Sequence, residues 1–434
     1  MLLRFSISNF LSFYEEVTFN MFPNTNRVRF PEHIYNHEVP LLKESAIYGP
    51  NGSGKSNFIK AALFFRSFLT QKDYLAGVDL NRIHFRLAER NTKPVKMGME
   101  FVTKGKYYIY KIQISSSIKE ELWISGIGKT NDELLFLREG GRVESELVEN
   151  KSSVEKLLEM NPRSSILPLN EQFPVFKGED VNNVFRWLNE KVVIVDINSW
   201  IPQLIHLMAK HEKLLKFASE MLNECDLNIA QLTVGEQSFD EWIKQHKNLS
   251  NVQDVINREL KSTGSVMEFG QDRRNEFKVF TDNEGMRRVQ EFLFRQIGID
   301  GYEADMDILS QSDGTVRLLT LIPAIYDALY EEKTVFIDEI ENSIHPNLIY
   351  EMMLYYSSHR SNGQMIFTTH LSKLMDQQNL LRLDEYWIAR KEDGQTRMQS
   401  LSDFNIHNTI KIENGYLQGR YGGIPNISID TAEA

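Results

Sequence analysis

The sequence predicts an α/β fold with a parallel sheet that carries a phosphate-binding loop, an antiparallel β subdomain and a mainly helical insertion. Three observations lead to this prediction. A strand-like segment runs into a glycine-rich loop at residues 49–56, and a helix-like segment leaves it. Residues 97–138 alternate apolar and polar side chains as antiparallel strands do. Between residues 181 and 260 the apolar spacing changes to that of helices.

The N-terminal lobe is predicted to span residues 1–180. Residues 3–7 alternate apolar and polar side chains, which indicates a strand. Residues 97–114 alternate in the same way around a Lys-Gly-Lys turn at 104–106, which is typical of a hairpin. Residues 122–138 continue the pattern, so an antiparallel meander is expected beside the phosphate-binding loop.

The phosphate-binding loop fits the pattern G-x-x-x-x-G-K-[ST] at Gly49, Pro50, Asn51, Gly52, Ser53, Gly54, Lys55 and Ser56. Its glycines allow the backbone N–H groups to wrap around phosphates, and the helix that follows adds a partial positive charge at its N-terminus. Lys55 is predicted to reach the β- and γ-phosphates, and the Ser56 hydroxyl is predicted to bind Mg²⁺. The sequence therefore predicts that the chain binds a nucleoside triphosphate.

The rest of the chain is predicted to form two further parts. Residues 181–290 are expected to be a mainly helical insertion, because apolar residues such as Val184, Trp187 and Leu188 have helical spacing. The spacing does not keep a heptad for many repeats, so a long coiled coil is not expected. Residues 291–434 are expected to be a C-terminal lobe that carries the remaining chemistry.

Two strands of the C-terminal lobe are predicted to end in reactive side chains. Residues 334–337 are strand-type, and Asp338 and Glu339 follow directly. In a phosphate-loop ATPase, Asp338 would hold the Mg²⁺ shell and Glu339 would orient and deprotonate the attacking water. The strand at 364–369 ends in His370, at the edge where ligands bind in open α/β sheets, so His370 is predicted to hydrogen-bond the γ-phosphate.

A second anion site is predicted where Ser312, Asp313 and Gly314 open an amphipathic helix. One nucleotide cannot use both anion sites of the same subunit if the motifs follow this order. A head-to-tail pair would solve the problem, because Ser312 and Gly314 of each subunit could close on the γ-phosphate of the other. Two-fold symmetry makes such a pair self-complementary. The Ser-x-Gly pattern alone is common, so the prediction of a dimer depends on the other motifs.

Composition limits the class of protein. The 434 residues are enough for two or three domains or for one nucleotide-binding fold with a large insertion. No apolar run approaches the roughly 18 residues that a membrane helix needs, so no membrane association is expected. A single cysteine, Cys225, excludes an internal disulfide and fits a reducing compartment, which predicts a cytoplasmic location. The net charge of −11 argues against a polyanion-binding surface over the whole molecule but leaves a local basic groove open.

Together these motifs resemble ATP-binding-cassette (ABC) ATPases of the chromosome-maintenance and recombination-repair type. The sequence resembles more closely the stand-alone bacterial AAA/ABC-like ATPases of phage-defence and abortive-infection loci. The likeness covers most of the chain, at residues 9–13, 49–56, 85–87, 99–101, 312–319, 337–346, 367–370, 401–404 and 415–425. The tail at 415–425 is its most family-specific part, and the residues alone suggest no mechanism for it.

The resemblance implies an α/β fold with an ABC-type P-loop NTPase core, and it implies ATP and Mg²⁺ as ligands. Ser312 and Gly314 would belong to the signature motif, residues 341–343 to the dimer-contact loop, and His370 would be the switch histidine. The sequence departs from the pattern in two ways. Its signature reads Ser-x-Ser-Asp-Gly and not the transporter-type Leu-Ser-Gly-Gly-Gln, which removes the transporter interpretation. No glutamine can be assigned to the metal-contacting loop.

By this resemblance the chain would be an ATP-hydrolysing, dimerising switch in an anti-phage defence complex, and it would control a separate nuclease or toxin effector. A higher oligomer and binding of nucleic acid stay open. One alternative is a clamp for DNA ends, which the missing coiled coil and the acidic balance weaken. Another alternative is that the chain is itself a metal-dependent nuclease that uses Glu303, Asp305 and Asp307. A solvent-facing strand would also explain these alternating acids.

Overall fold

The computed structural model describes two compact units. The first unit comprises residues 1–197, 327–341 and 349–434, and the second comprises residues 198–326 and 342–348. The description excludes residues 28, 90, 198–203, 226, 247–249, 261, 263, 270–276, 377, 405, 407–410 and 425–434.

The described residues form runs of consecutive strands as well as strands separated by helices. The strands are β1 (Leu2–Ser8), β2 (Val17–Asn20), β3 (Ile34–Tyr35), β4 (Leu41–Leu42), β5 (Glu44–Tyr48), β6 (Val95–Thr103), β7 (Lys106–Ile114), β8 (Ile118–Ile124), β9 (Glu133–Glu139), β10 (Arg142–Glu144), β11 (Val192–Val195), β12 (Ile229–Ser238), β13 (Val266–Phe269), β14 (Phe277–Thr281), β15 (Arg287–Ile297), β16 (Glu303–Met306), β17 (Thr334–Ile337), β18 (Gln364–Thr369), β19 (Tyr386–Glu392) and β20 (Gln395–Ser400). The α-helices are α1 (Lys55–Thr70), α2 (Leu80–Ile83), α3 (Lys151–Met160), α4 (Ile166–Gln172), α5 (Asp180–Arg186), α6 (Leu204–Lys210), α7 (Glu212–Glu224), α8 (Phe239–Gln245), α9 (Ser250–Glu259), α10 (Asp313–Tyr330), α11 (Pro346–Ser358) and α12 (Ile412–Leu417).

The first unit is built on a six-stranded sheet with the order β11-β17-β18-β5-β19-β20. The first five strands are parallel, and β20 runs antiparallel to β19. Every residue of β5, β17 and β18 is buried, as expected for central strands that are covered on both faces. The segments that follow these three strands meet at the carboxyl edge of the sheet, which is where open α/β sheets bind ligands.

A seven-stranded antiparallel sheet completes the first unit, with the order β10-β9-β8-β7-β6-β1-β2. Thr103 pairs with Lys106, and the two residues between them, Lys104 and Gly105, have φ of 50° and 74°. Positive φ at both central residues defines the tight hairpin that the sequence predicts. The predicted α/β fold, with a phosphate-loop core and an antiparallel subdomain, is confirmed.

Helix α1 joins the two sheets of the first unit through aromatic contacts. The ring of Phe5 on β1 lies 5.7 Å from that of Phe58 and 5.8 Å from that of Phe65, in edge-to-face geometry. Phe58 also lies 6.3 Å from Phe336 of β17. Such aromatic pairs contribute beyond the apolar area that they bury. The helix that begins in the phosphate loop is therefore fixed on both sides by the core.

The second unit contains a five-stranded sheet in which β12-β15-β14-β13 are neighbours and β16 pairs with β15. The prediction of a mainly helical segment at 181–290 is therefore corrected, because β11 to β14 and the beginning of β15 lie in it beside α5 to α9. Polar residues interrupt the alternation of apolar and polar side chains in β12, so the two-residue period of a strand is hard to recognise there. Cross-strand pairing with β15 forms the strand in spite of this weak pattern.

The predicted three-part division also differs from the two units. Strand β11 lies beyond the predicted boundary at residue 180, yet it pairs in parallel with β17 of the first unit. A parallel sheet takes its strands from distant parts of the chain, and a reading along the sequence cannot reveal this. No helix in the described part of the chain has both the length and the apolar character that a bilayer span requires.

Candidate nucleotide-binding site

The phosphate loop lies between β5 and α1 at the carboxyl edge of the core sheet. Gly49 and Gly54 have φ of 155° and 108°, in the region that favours glycine. A Cβ atom on Gly49 would lie 2.3 Å from the carbonyl oxygen of Ala389, and one on Gly54 would lie 2.0 Å from Thr396 Oγ1. The cradle-like path of the loop therefore requires glycine at these two positions.

Lys55 is buried and folds back onto the loop. Its Nζ donates to the carbonyl oxygen of Gly49 at 2.7 Å and to that of Pro50 at 3.3 Å, and it lies 3.1 Å from Nε2 of His370. Burial lowers the pKa of Lys55 to about 8, although three nearby carboxylates act in the opposite direction. The ammonium group is thus held by neutral acceptors. Phosphate oxygens would form stronger, charge-assisted hydrogen bonds with it.

The two acids after β17 are held by a threonine of the neighbouring strand. Thr368 Oγ1 donates to Asp338 Oδ1 at 2.7 Å and accepts from the backbone N–H of Glu339 at 2.8 Å. The φ of Glu339 is 44°, a left-handed conformation that costs a non-glycine residue on the order of 1–3 kcal/mol. Strain of this kind concentrates at functional sites, where surrounding contacts maintain it.

His370 follows β18 and is fixed through its backbone. Its N–H donates to Oε1 of Glu341, while its ring stays partly open to solvent beside Lys55. Partial burial and the Lys55 cation lower the pKa of His370, although the carboxylates of Glu341 and Glu339 oppose the shift. A neutral ring at physiological pH can donate a hydrogen bond from one nitrogen and accept one at the other.

These side chains surround one cavity of about 470 Å³, a volume within the usual range for ligand sites. It is lined by Asn51, Gly52, Ser53, Gly54, Lys55, Ser56, Asn57, Glu339 and His370. Ser53 Oγ is buried and has no hydrogen-bond partner among the described residues, as expected where a polar ligand would supply one. The glycine cradle, the ammonium group and this hydroxyl fit a phosphate chain.

The structure brings together most of the predicted residues. Pro50 contributes one of the carbonyl groups that bind Lys55, and Asp338 accepts a hydrogen bond from Thr368, directly before Glu339 of the cavity lining. Ser56 lines the cavity, and Asp338 offers a buried carboxylate, so both suit a Mg²⁺ ion, which prefers oxygen ligands.

The remaining two predicted residues, Ser312 and Gly314, belong to the second unit. Ser312 is exposed, and its Oγ accepts from the backbone N–H of Thr315 at 3.1 Å, which caps the beginning of α10. A Cβ on Gly314 would lie 2.8 Å from the carbonyl oxygen of Ser343. Gly314 is therefore required for close packing of the helix start against the loop after the acids.

Three contributors to the site were missed by sequence reasoning. Thr396 Oγ1 lies 2.7 Å from both Ser12 Oγ and the carbonyl oxygen of Ser53, and Asn57 donates to Ser12 Oγ at 2.8 Å. Ser12, near the start of the chain, and Thr396, on β20, thus hydrogen-bond to each other, to the phosphate loop and to the first turn of α1. Thr368 and Glu341 lie within predicted motifs, but their roles depend on contacts between strands that the motifs do not specify.

Strand β11 ends next to the backbone of the first acid after β17. The carbonyl oxygen of Val195, the last residue of β11, accepts from the backbone N–H of Asp338 at 2.8 Å. Asp196 is therefore the first residue to leave the sheet next to the Asp338 backbone.

The acids of the nuclease alternative are engaged in ordinary ion pairs. Asp305 on β16 accepts from Nε of Arg295 at 3.0 Å on the neighbouring strand. Asp307 caps a short helix through the Ser310 N–H and lies 3.5 Å from Nε2 of His246. Among the described residues, the one group of ligating side chains close enough to share a metal ion lies elsewhere, at His33, Glu44 and Glu385.

A phosphate loop at the edge of a parallel sheet, with an acid-terminated strand beside it, defines the P-loop class of nucleotide-binding proteins. Comparison with family models identifies the family within this class. The model described as "AAA domain, putative AbiEii toxin, Type IV TA system" matches residues 45–189 and 236–376, well over half of the chain. The chain belongs to this AAA-domain family. The comparison with curated proteins found no match.

Similar solved structures include three heads of SMC proteins. The SmcHead bound to the C-winged helix domain of ScpA has a TM-score of 0.46 and 13% identity, and the match covers 92% of this chain and 97% of that chain. The SMC head domain from Thermotoga maritima has a TM-score of 0.41 and 12% identity, with coverage of 92% and 98%. An Smc head domain with an extended coiled coil, bound to the C-terminal domain of ScpA derived from Pyrococcus furiosus, has a TM-score of 0.41 and 14% identity, with coverage of 93% and 97%. All three TM-scores are below 0.5.

Proposed function

We propose that the chain binds and hydrolyses ATP as a dimerising switch in the cytoplasm. We also propose that it is the ATPase subunit of an anti-phage, abortive-infection complex that controls a separate nuclease or toxin effector. One observation carries the first part: Lys55, Glu339 and His370 converge on a single cavity above a phosphate loop. The second part is supported by membership in a family whose description names a toxin and a toxin–antitoxin system.

The proposed chemistry assigns a role to each side chain at the cavity. Lys55 would exchange its carbonyl acceptors for β- and γ-phosphate oxygens, and His370 would hydrogen-bond the γ-phosphate. Glu339, which lines the cavity, would accept a proton from the attacking water. Mg²⁺ held by Ser56 and Asp338 would offset negative charge on the phosphates when bound.

The dimer follows from the second anion site. Ser312 is exposed at the start of α10, and the partial positive charge of a helix N-terminus favours a phosphate there. Ser312 and Gly314 of one subunit would close on the γ-phosphate that the phosphate loop of another subunit holds. ATP binding would then stabilise the closed pair, and hydrolysis would release it.

Substitution of the proposed base tests this function. Glu339→Gln removes the general base but keeps a side chain of the same shape, so ATP hydrolysis should fall by about 100-fold or more. Binding of ATP should persist, and ATP-bound dimers should accumulate. Phosphate release and light scattering measure the two effects, and Glu331→Gln, at an exposed position, serves as the matched control. Native hydrolysis rates in Glu339→Gln would contradict the assignment.

A further inference from the structure

The C-terminal tail folds into a compact hook. Helix α12 ends at Leu417, and the chain then turns back, because the N–H of Gly419 donates to the Tyr416 carbonyl at 2.8 Å and that of Arg420 to the Gly415 carbonyl at 3.0 Å. Residues 412–424 are described, while residue 425, the last of the predicted tail motif, lies outside the described residues.

The hook contacts the phosphate loop at its first glycine. The Tyr416 hydroxyl donates to the carbonyl oxygen of Gly423 at 2.8 Å. A Cβ on Gly423 would lie 2.6 Å from Cγ2 of Ile388 and 3.8 Å from Cα of Gly49. The ring of Tyr416 also packs edge-on against Tyr48, with centroids 5.7 Å apart. The tail thus packs against the start of the phosphate loop, and the Tyr416 hydroxyl holds Gly423 in this contact.

The same helix also contacts the segment that carries the proposed switch histidine. Ser372 Oγ, which follows His370 closely along the chain, donates to Oε1 of Glu413 on α12 at 2.8 Å. Helix α12 is therefore joined to two of the segments that line the cavity, the phosphate loop and the chain after β18.

Gly49 is the residue of the phosphate loop that the tail contacts. Its carbonyl oxygen accepts from Lys55 Nζ at 2.7 Å, while its Cα lies against Gly423, which the Tyr416 hydroxyl holds. When Lys55 turns to a phosphate, the carbonyl of Gly49 loses that donor, and a loop of flexible glycines would lose part of its constraint. The contact with Gly423 remains and keeps the Gly49 peptide in place.

We propose that Tyr416 and Gly423 are positioning residues that hold Gly49, and with it the phosphate loop, in the conformation that receives a triphosphate. This inference rests on the proposed function, because it assumes that the cavity binds ATP. Preorganisation of a loop lowers the entropy that ligand binding must overcome, so the expected signature is nucleotide affinity. Loss of the tail contact should weaken ATP binding without removing any group that touches the nucleotide.

Two variants of the full-length chain test the proposal. Tyr416→Phe removes only the hydroxyl, and Gly423→Ala places a methyl group against Ile388. Each should raise the Kd for ATP and the KM of hydrolysis about fivefold or more, the effect of one lost net hydrogen bond. The controls are Leu417→Ala on the exposed side of α12, and Gly105→Ala, whose φ of 74° matches the 77° of Gly423 but whose surroundings are open.

The kinetic split separates positioning from a general loss of folded protein. Partial unfolding would lower the apparent kcat and leave KM unchanged, whereas a displaced loop raises KM in the folded fraction. An unchanged KM and Kd in both variants, with or without a lower kcat, would overturn the inference. ATP binding by the native chain is measured first. If the native chain does not bind ATP, the proposed function is wrong, and this is known before any variant is compared.

Discussion

At the scale of single residues, the geometry of the two acids depends on Thr368. Its hydroxyl holds the side chain of Asp338 at 2.7 Å and the backbone of Glu339 at 2.8 Å. The left-handed φ of Glu339 would relax if this backbone bond were missing, because strained conformations persist only where surrounding contacts hold them. The position of the proposed base is therefore fixed by a side chain that performs no chemistry.

Thr368→Val should test this dependence, because it replaces the hydroxyl by a methyl group of similar volume. We expect ATP hydrolysis to fall by about 100-fold, the effect of a small misplacement of a reacting group. ATP binding should change little, since Lys55 and the glycines are untouched. Steady-state kinetics and nucleotide titration measure both. Thr320→Val is the matched control, since Thr320 is buried and its hydroxyl bonds only the Val316 carbonyl; equal losses in both variants would contradict the role of Thr368.

At the scale of elements, the sequence predicted correctly those motifs whose structure depends on neighbouring residues of the chain. The strand–loop–helix pattern at 49–56 and the hairpin at 104–106 are local, so their residue types predict their backbone. Strand β12 was missed because it is stabilised by its pairing with β15 rather than by a buried face of its own. The role of Thr368 was missed because it depends on the register between β17 and β18, which no local pattern encodes.

The opposite edge of the core sheet contains a buried charge cluster that sequence reasoning did not find. His33 Nδ1 lies 3.0 Å from a carboxylate oxygen of Glu44 and 3.0 Å from one of Glu385, at the beginnings of β5 and β19. Burial alone would lower the pKa of His33, but the two carboxylates raise it to about 11. Burial raises the pKa of Glu385 to about 8. The cluster connects the segment before β3 to two parallel strands.

This cluster makes stability depend on pH in a predictable direction. Because both pKa values are raised, the folded chain keeps protons that the unfolded chain releases above its ordinary histidine pKa of 6.5. The contribution of His33 is complete below that pH and is lost as the pH rises toward 11. Glu385 acts in the same direction between 4.5 and about 8. The cluster therefore stabilises the fold less at pH 9 than at pH 7.

The prediction is checked by urea unfolding of the native chain and of His33→Gln at both pH values. The loss of unfolding free energy between pH 7 and pH 9 should be smaller in His33→Gln, by at most about 1.4 kcal/mol per pH unit for one proton. His37→Gln, at a nearby exposed position, should keep the native pH dependence. If His33→Gln has the same pH dependence as the native chain, the cluster does not bind the extra proton.

At the scale of the whole molecule, the proposed anion sites are divided between the two units of one chain. The phosphate loop, Glu339 and His370 belong to the first unit, and Ser312 and Gly314 belong to the second. In a head-to-tail dimer, each nucleotide would contact the first-unit residues of one subunit and the second-unit residues of the other. The two-fold symmetry of such a dimer is isologous and would limit the assembly to closed pairs. Bound ATP would then act as a signal that the dimer has formed, in addition to supplying energy.

Ser312→Arg should separate nucleotide binding from assembly. The long cationic side chain would block the approach of a second subunit at the start of α10, while the phosphate loop of the same chain stays intact. In the Glu339→Gln background, ATP should shift the mass from 50.5 kDa to that of a dimer, and the added Ser312→Arg change should abolish the shift without changing the Kd for ATP. Light scattering and titration measure the two quantities, with Ser358→Arg, at an exposed helix end, as the control. ATP-bound dimers of the Ser312→Arg variant would place the interface elsewhere, and an ATP-bound Glu339→Gln chain that stays monomeric would remove the sandwich altogether.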